Sequence, residues 1–253
     1  MPINQSFSWW CFAGKDVSDE TLLATAKKIG YKAVELLPDD KLHMAADHGL
    51  VIASHPGHRL TVQGLNDLDC HADIEATILK NIELAKKHKI PSLIVFSGER
   101  RPGHTDEEGI ENSAIGLKRV AKQAEDAGIN LIIELLNSKV DHGGYQCDTT
   151  PWGVAVCERV ASPRVGLLYD IYHMQIMEGD IIRTINTHHK HFLHYHTAGN
   201  PGRRDMDETQ ELYYPPIMKA IAASGYTGYV GHEFIPKGDL CAALEQAYNL
   251  CDV

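Results

Sequence analysis

The stretch LIIELL (131–136) sets one acidic side chain, Glu134, inside an apolar run. A carboxylate there is costly to bury unless it is paired or bound to a cation. Three more runs repeat the arrangement. VGLLYD (165–170) ends on Asp170, FLHYH (192–196) ends on His196, and GYVGHEF (228–234) carries Glu233. The steps between these residues are 36, 26 and 37 positions (170−134, 196−170, 233−196). Each step is the length of about one strand-plus-helix unit. In a closed barrel of such units all four side chains reach one end, where the chemistry of such barrels takes place.

Working outward, apolar runs alternate with amphipathic segments along the whole chain. Strands are expected at 7–12, 33–37, 51–55, 92–97, 130–136, 165–170, 192–197 and 228–234. Most are apolar at nearly every position, as parallel strands covered on both faces should be. Helices are expected at 18–30, 71–88, 106–128, 150–161, 180–189, 215–224 and 239–250. Ser18 and Gly30 bracket the first of these as start and stop residues, and Pro151 sits in the first turn of another. The alternation predicts an α/β fold, a single (β/α)₈ TIM barrel over residues 1–253. A doubly wound open sheet would need a glycine-rich phosphate loop after its first strand. AGKDVSDE (13–20) is not one.

The 253 residues include 43% hydrophobic and 23% charged side chains, ordinary for a globular protein. A net charge of −10 with no basic run argues against nucleic acid or an anionic membrane as partner. The N-terminus lacks the basic and apolar regions of a signal peptide, and no run nears the ~20 apolar residues of a membrane span. The six cysteines are scattered without a CxxC pair and read as thiols in a reducing compartment. The chain is therefore expected to be soluble and cytoplasmic.

Taken singly, the four residues have ordinary readings: buried ion pairs for Glu134 and Glu233, a helix cap for Asp170, a core imidazole for His196. Four together at successive strand ends point instead to a divalent-metal site. Three carboxylates with one imidazole suit Mg²⁺, Mn²⁺ or Co²⁺, and Zn²⁺ is compatible. His173 lies three residues beyond Asp170, and Arg203 and Arg204 seven and eight beyond His196. These are the candidates for substrate contact, a guanidinium fork being matched to a carboxylate. The loops 137–149 and 198–211 would cover the site. Trp9, Trp10, Phe12 and Trp152 could narrow its mouth, while His188, His189 and His191 read as helix-end and surface residues.

These motifs resemble the hydroxypyruvate isomerase family, within the xylose isomerase-like superfamily of sugar isomerases and epimerases. The matching stretches are GYKAVELL (30–37), HADIE (71–75), IIELLNS (132–138), LLYDIYH (167–173), the loop from Arg203 to Pro215, and GYVGHEFIPKG (228–238). The resemblance implies that Glu134, Asp170, His196 and Glu233 hold a divalent metal and that Glu134 and Glu233 are the acid–base pair. It also implies that His173 and Arg203 contact the substrate. The reaction implied is isomerisation of hydroxypyruvate, or a similar short hydroxy-keto acid, through an enediolate. Within the superfamily the alternatives are a ketose 3-epimerase, a 2-oxo-tetronate isomerase or an inosose-type dehydratase. Hydroxypyruvate isomerases can carry Gln where this chain has His196, and a His there is more like the ketose 3-epimerases. A homodimer is the commonest oligomer to expect.

Overall fold

The computed structural model describes residues 3–14, 17–60 and 62–253. Nine short strands run in parallel: β1 (Asn4–Phe7), β2 (Ala33–Val34), β3 (Val51–Ile52), β4 (His55–Pro56), β5 (Ser92–Val95), β6 (Asn130–Glu134), β7 (Val165–Asp170), β8 (Phe192–Thr197) and β9 (Tyr229–His232). Their order is β1-β9-β8-β7-β6-β5-β4, with β2 beside β3. Backbone bonds close the ring. Glu35 N–H donates to the Phe7 carbonyl (2.9 Å), Leu36 N–H to Ser54 (3.1 Å), and Gly57 N–H to Ile94 (2.7 Å). β3 and β4 are two halves of one position, so the ring has eight staves and the fold is a (β/α)₈ barrel.

The outer layer comprises α1 (Trp9–Phe12), α2 (Asp19–Ile29), α3 (Leu42–Asp47), α4 (His71–His88), α5 (Asp106–Ala127), α6 (Thr150–Val160), α7 (Ile171–Met177), α8 (Ile181–His188), α9 (Tyr214–Ala223) and α10 (Leu240–Cys251). Local chemistry sets several ends. Ser18 Oγ accepts from Thr21 N–H at the start of α2 (3.2 Å). Thr105 and Glu108 form a capping box on α5, which stops at Gly128 with φ +69°. Among the described residues no helix is long and apolar enough to cross a membrane. No disulfide joins the six cysteines.

The period of two along each strand decides what faces in. Leu131 and Ile133 join the large apolar layer between strands and helices, whereas Ile132 packs with Ile94 and Leu168 in a separate buried cluster. That cluster fills the barrel interior, and Glu134 and Asp170 stand two residues above it on the same side.

The expected first strand, 7–12, is displaced. The strand covers Asn4–Phe7, and Trp9–Phe12 turns helical. Trp9 N–H bonds to the Glu35 carbonyl and Ala13 N–H to the Trp9 carbonyl, both at 2.9 Å. The aromatic residues have strand propensity, but the neighbouring stave ends there and tertiary context overrides it. The helices α3 and α7 were not expected. α7 starts directly on Asp170, without the intervening loop that marks most helix starts in a sequence.

Candidate active site

Glu134 and Asp170 end staves five and six, His196 stands one residue before the end of stave seven, and Glu233 follows stave eight by one residue. All four are buried. One ligand atom from each lies within 4.8 Å of the others. His196 Nδ1 is the hub, 3.1 Å from Glu233 Oε2, 3.6 Å from Glu134 Oε1 and 3.9 Å from Asp170 Oδ2. Ligands about 2.1 Å from a common ion stand about 3 to 4 Å apart. The Nδ1 atom is buried and has no hydrogen-bond partner among the described residues. Three carboxylate oxygens around a ring nitrogen with no hydrogen-bond partner form a donor set that fits a divalent cation.

Glu35, beside stave two, decides which nitrogen faces the cluster. It is fully buried and accepts four bonds, from Ser6 Oγ, Ser54 Oγ (2.5 Å), His194 Nε2 (2.9 Å) and His196 Nε2 (3.2 Å). Burial pushes its carboxyl up, but the two imidazoles outweigh that and hold it well below the usual range. An ionised acceptor requires Nε2–H on both histidines, which leaves Nδ1 of His196 as the nitrogen that faces the cluster. A metal-bound imidazole is commonly oriented by such a carboxylate. Space for Glu35 comes from Gly231, where a Cβ would lie 2.0 Å from Glu35 Oε1.

The charges are strongly coupled. Burial pushes Asp170 up to about 7, against Arg203 and His196. Burial also raises Glu233, yet His196, Arg203 and the Trp10 N–H bond (2.9 Å) hold it well below the carboxylate range. For His196 burial is outweighed by Glu233 and Glu35, which raise it well above the imidazole range, so without a cation the carboxylates favour a proton on Nδ1, in the place a cation would take. Asp170 also fulfils the ordinary reading of its position, since its Oδ1 accepts His173 N–H at 3.0 Å and caps α7.

His173 has a defined tautomer. Asn137 Oδ1 accepts the Val140 and Asp141 N–H groups (3.0 and 2.8 Å), which fixes the amide. Asn137 Nδ2 then donates to His173 Nδ1 at 2.6 Å. The proton of this neutral ring sits on Nε2, 3.7 Å from Asp170 Oδ2, and that atom has no bond partner among the described residues. Burial, then Arg203, holds the ring well below the imidazole range. It is a donor aimed at the cluster.

Arg203 reaches the site as an ion-pair partner. It bonds to Glu233 Oε2 and lies 3.9 Å from Asp170 Oδ2. Its guanidinium packs 5.4 Å from the Trp10 ring and 5.8 Å from Tyr172. Arg204 is directed elsewhere, to the Ile235 carbonyl. Of the aromatic residues expected at the mouth only Trp10 lines the cavity. Trp9, Phe12 and Trp152 are buried in the helix–strand layer. Next to the four acids and bases opens a cavity of about 570 Å³. Sequence reading missed Glu35 as a partner of His196, and it missed His58, Arg59 and His142, which line this cavity. His142 packs edge-on against His173 with centroids 5.3 Å apart. Its place in the loop 137–149 was the one available signal. His188, His189 and His191 belong to no metal-competent group among the described residues.

The chain is 29% identical to the 2-oxo-tetronate isomerase of Cupriavidus necator over 68% of its length and 66% of that protein's. It is 31% identical to the putative hydroxypyruvate isomerase of Homo sapiens over 45% of this chain and 41% of that one. These matches thus span less than two thirds of the relatives' own lengths. A crystal structure described as an AP endonuclease, family 2, from Brucella melitensis superposes with a TM-score of 0.81 at 25% identity, covering 96% of this chain and 97% of that one. The sequence model of one family matches residues 23–248, nearly the whole barrel and every site residue from Glu35 to Glu233, so the chain belongs to the xylose isomerase-like TIM barrel family.

Proposed function

We propose that this protein is a metal-dependent isomerase that moves a proton between adjacent carbons of a short hydroxy-keto acid, of the hydroxypyruvate or 2-oxo-tetronate class, through an enediolate. The observation that carries this reading is the convergence of three buried carboxylates on the unpartnered Nδ1 of His196. Glu134, Asp170, His196 and Glu233 would hold a divalent ion of the Mg²⁺, Mn²⁺ or Co²⁺ type, which when bound supplies Lewis-acid polarisation of a carbonyl oxygen.

The remaining roles belong to side chains. Glu134 and Glu233 approach from staves five and eight, so one can take the proton next to the carbonyl while the other returns it to the neighbouring carbon. Arg203, Trp10 and Ser8 hold Glu233 in its ionised, proton-accepting form. His173 presents Nε2–H to a substrate oxygen. The same two carboxylates would serve a ketose 3-epimerase, and His196 is the feature that favours that second reading. The charge of −10 supports a small molecule over a nucleic acid in either case.

The test is a substrate screen of metal-loaded protein in D₂O, followed by NMR. Isomerisation of hydroxypyruvate or 2-oxo-tetronate, with deuterium entering the product, is expected. Turnover of neutral ketoses alone moves the protein to the epimerases. No exchange with any hydroxy-ketone overturns both readings.

A further inference from the structure

Arg203 already pairs with Glu233 and Asp170 and is held between two aromatic rings, so it is poorly placed to receive a substrate's carboxylate. We propose that Arg59 receives it, and that the cavity is shaped for an acid of four or more carbons. This rests on the isomerase reading above and narrows its substrate class.

Ring position comes first. The four candidate ligands belong to staves five to eight, and Arg59 follows β4 on stave three. In a ring of eight, stave three faces stave seven, which carries His196. Arg59 therefore stands on the rim across from the cluster, and it lines the same cavity as Glu134 and Glu233. Between them the wall is apolar, made of Leu36, Pro56, Ile94, Phe96 and Leu136.

Arg59 is also distinguished by its lack of a partner. Six of the nine arginines pair with an acid, and two more donate to Asn130 Oδ1 and to the Ile235 carbonyl. Arg59 alone has no side-chain partner among the described residues. Its backbone, by contrast, is anchored. Phe96 N–H donates to His58 Nε2 (3.0 Å), so the His58 proton is on Nδ1, which donates to the Arg59 carbonyl (3.0 Å). A fixed backbone carrying an uncompensated fork over a half-apolar cavity suits bidentate capture of a carboxylate.

Size agrees. A three-carbon hydroxy-keto acid has seven heavy atoms. Even at the ~30 Å³ that a water molecule occupies in the liquid, they fill about 210 Å³. The cavity is about 570 Å³. A longer chain lets the hydroxy-ketone end sit on the cluster while carbon and hydroxyl groups cross the apolar wall to Arg59.

The experiment compares acids of three, four and six carbons with neutral ketoses of matching length, in wild type, Arg59→Leu and Arg59→Lys, all Mg²⁺-loaded. Arg59→Leu should lower kcat/KM for the longer acids by about 10- to 100-fold, mainly through KM. The preference for acid over ketose should collapse with it, and Lys should restore part. Equal losses on acids and ketoses, or hydroxypyruvate as the best substrate, would overturn the proposal. A second measurement does not need turnover. D-gluconate has no ketone or aldehyde to isomerise, and sorbitol is its neutral counterpart. In calorimetry the wild type should bind gluconate at least 10-fold more tightly than sorbitol, and Arg59→Leu should abolish the difference. If no hydroxy-ketone exchanges deuterium, the isomerase reading fails. The gluconate result then judges Arg59 alone, and equal binding of the two probes rejects it.

Discussion

Staves five to eight and staves one to four build two different halves of one barrel. The former end in Glu134, Asp170, His196 and Glu233, a group of coupled charges. Staves two to four face the cavity with Leu36, Pro56, Ile94 and Phe96. Glu35 is the exception on that side, and its side chain reaches across the barrel interior to serve His194 and His196. One half thus concentrates acid–base capacity, and the other offers a dry wall with a cation on its rim. Low polarity on one side strengthens electrostatic contacts on the other, because fewer waters screen them.

The contrast can be broken most directly at the charged half. Glu134→Gln and Glu233→Gln should each cut turnover by about 10²- to 10⁴-fold, the range for loss of general acid–base catalysis. A steady-state rate near wild type in either variant would dissolve the distinction between the halves. At the apolar half, Ile94→Ala should cost about 2 to 5 kcal/mol of stability in denaturant unfolding, since Ile94 is 2% exposed inside the barrel. Its affinity for Mn²⁺ should stay within about threefold of wild type. A larger loss would mean the wall shapes the metal site too.

Acid should affect the apolar half through His58. Burial holds its pKa down to about 4, against an unfolded value of 6.5. Between those values the unfolded chain binds the extra proton. Stability is therefore full above about pH 6.5 and falls as the pH drops to about 4, by up to about 3 kcal/mol (2.5 units at 1.36 each). Thermal melts across that window should show a shallower decline for His58→Gln. An unchanged slope would assign the acid sensitivity to other groups.

The smallest effect expected concerns the tie between the halves. Glu35→Gln should weaken Mn²⁺ binding about 10- to 100-fold by calorimetry. Chelation of the wild-type protein should lower Tm by about 5 to 10 °C, for an ion held at about 100 times its Kd. An unaltered affinity in Glu35→Gln would make Glu35 a packing residue of the barrel floor.

The two halves also differed in how readable they were. Strands 165–170 and 192–197 lie where the sequence pattern puts them, and the expected strands 92–97 and 130–136 each overrun the observed ones by two residues. These staves pair on both sides, so each reads as a continuous apolar run. Staves two and three were harder. They meet through two-residue strands and single hydrogen bonds, and the expected strands 33–37 and 51–55 shrink or split. The helix α4 matches its expected span, 71–88, because an 18-residue amphipathic repeat averages out local ambiguity.

By itself, then, the sequence determined the barrel and the four converging residues. Both follow from local regularities: apolar runs at barrel spacing, and a charged residue at the end of each of four. The partnerships were decided only by the tertiary structure. Glu35 lies 161 positions from His196, and nothing in GYKAVELL states that its carboxylate will meet two imidazoles. Arg203, expected at the substrate, also pairs with Glu233, while Arg59, ordinary in the sequence, is the arginine without a side-chain partner among the described residues. Hydrogen-bond saturation and charge pairing depend on which side chains the closed ring brings within a few ångströms, and periodicity along the chain carries no record of that.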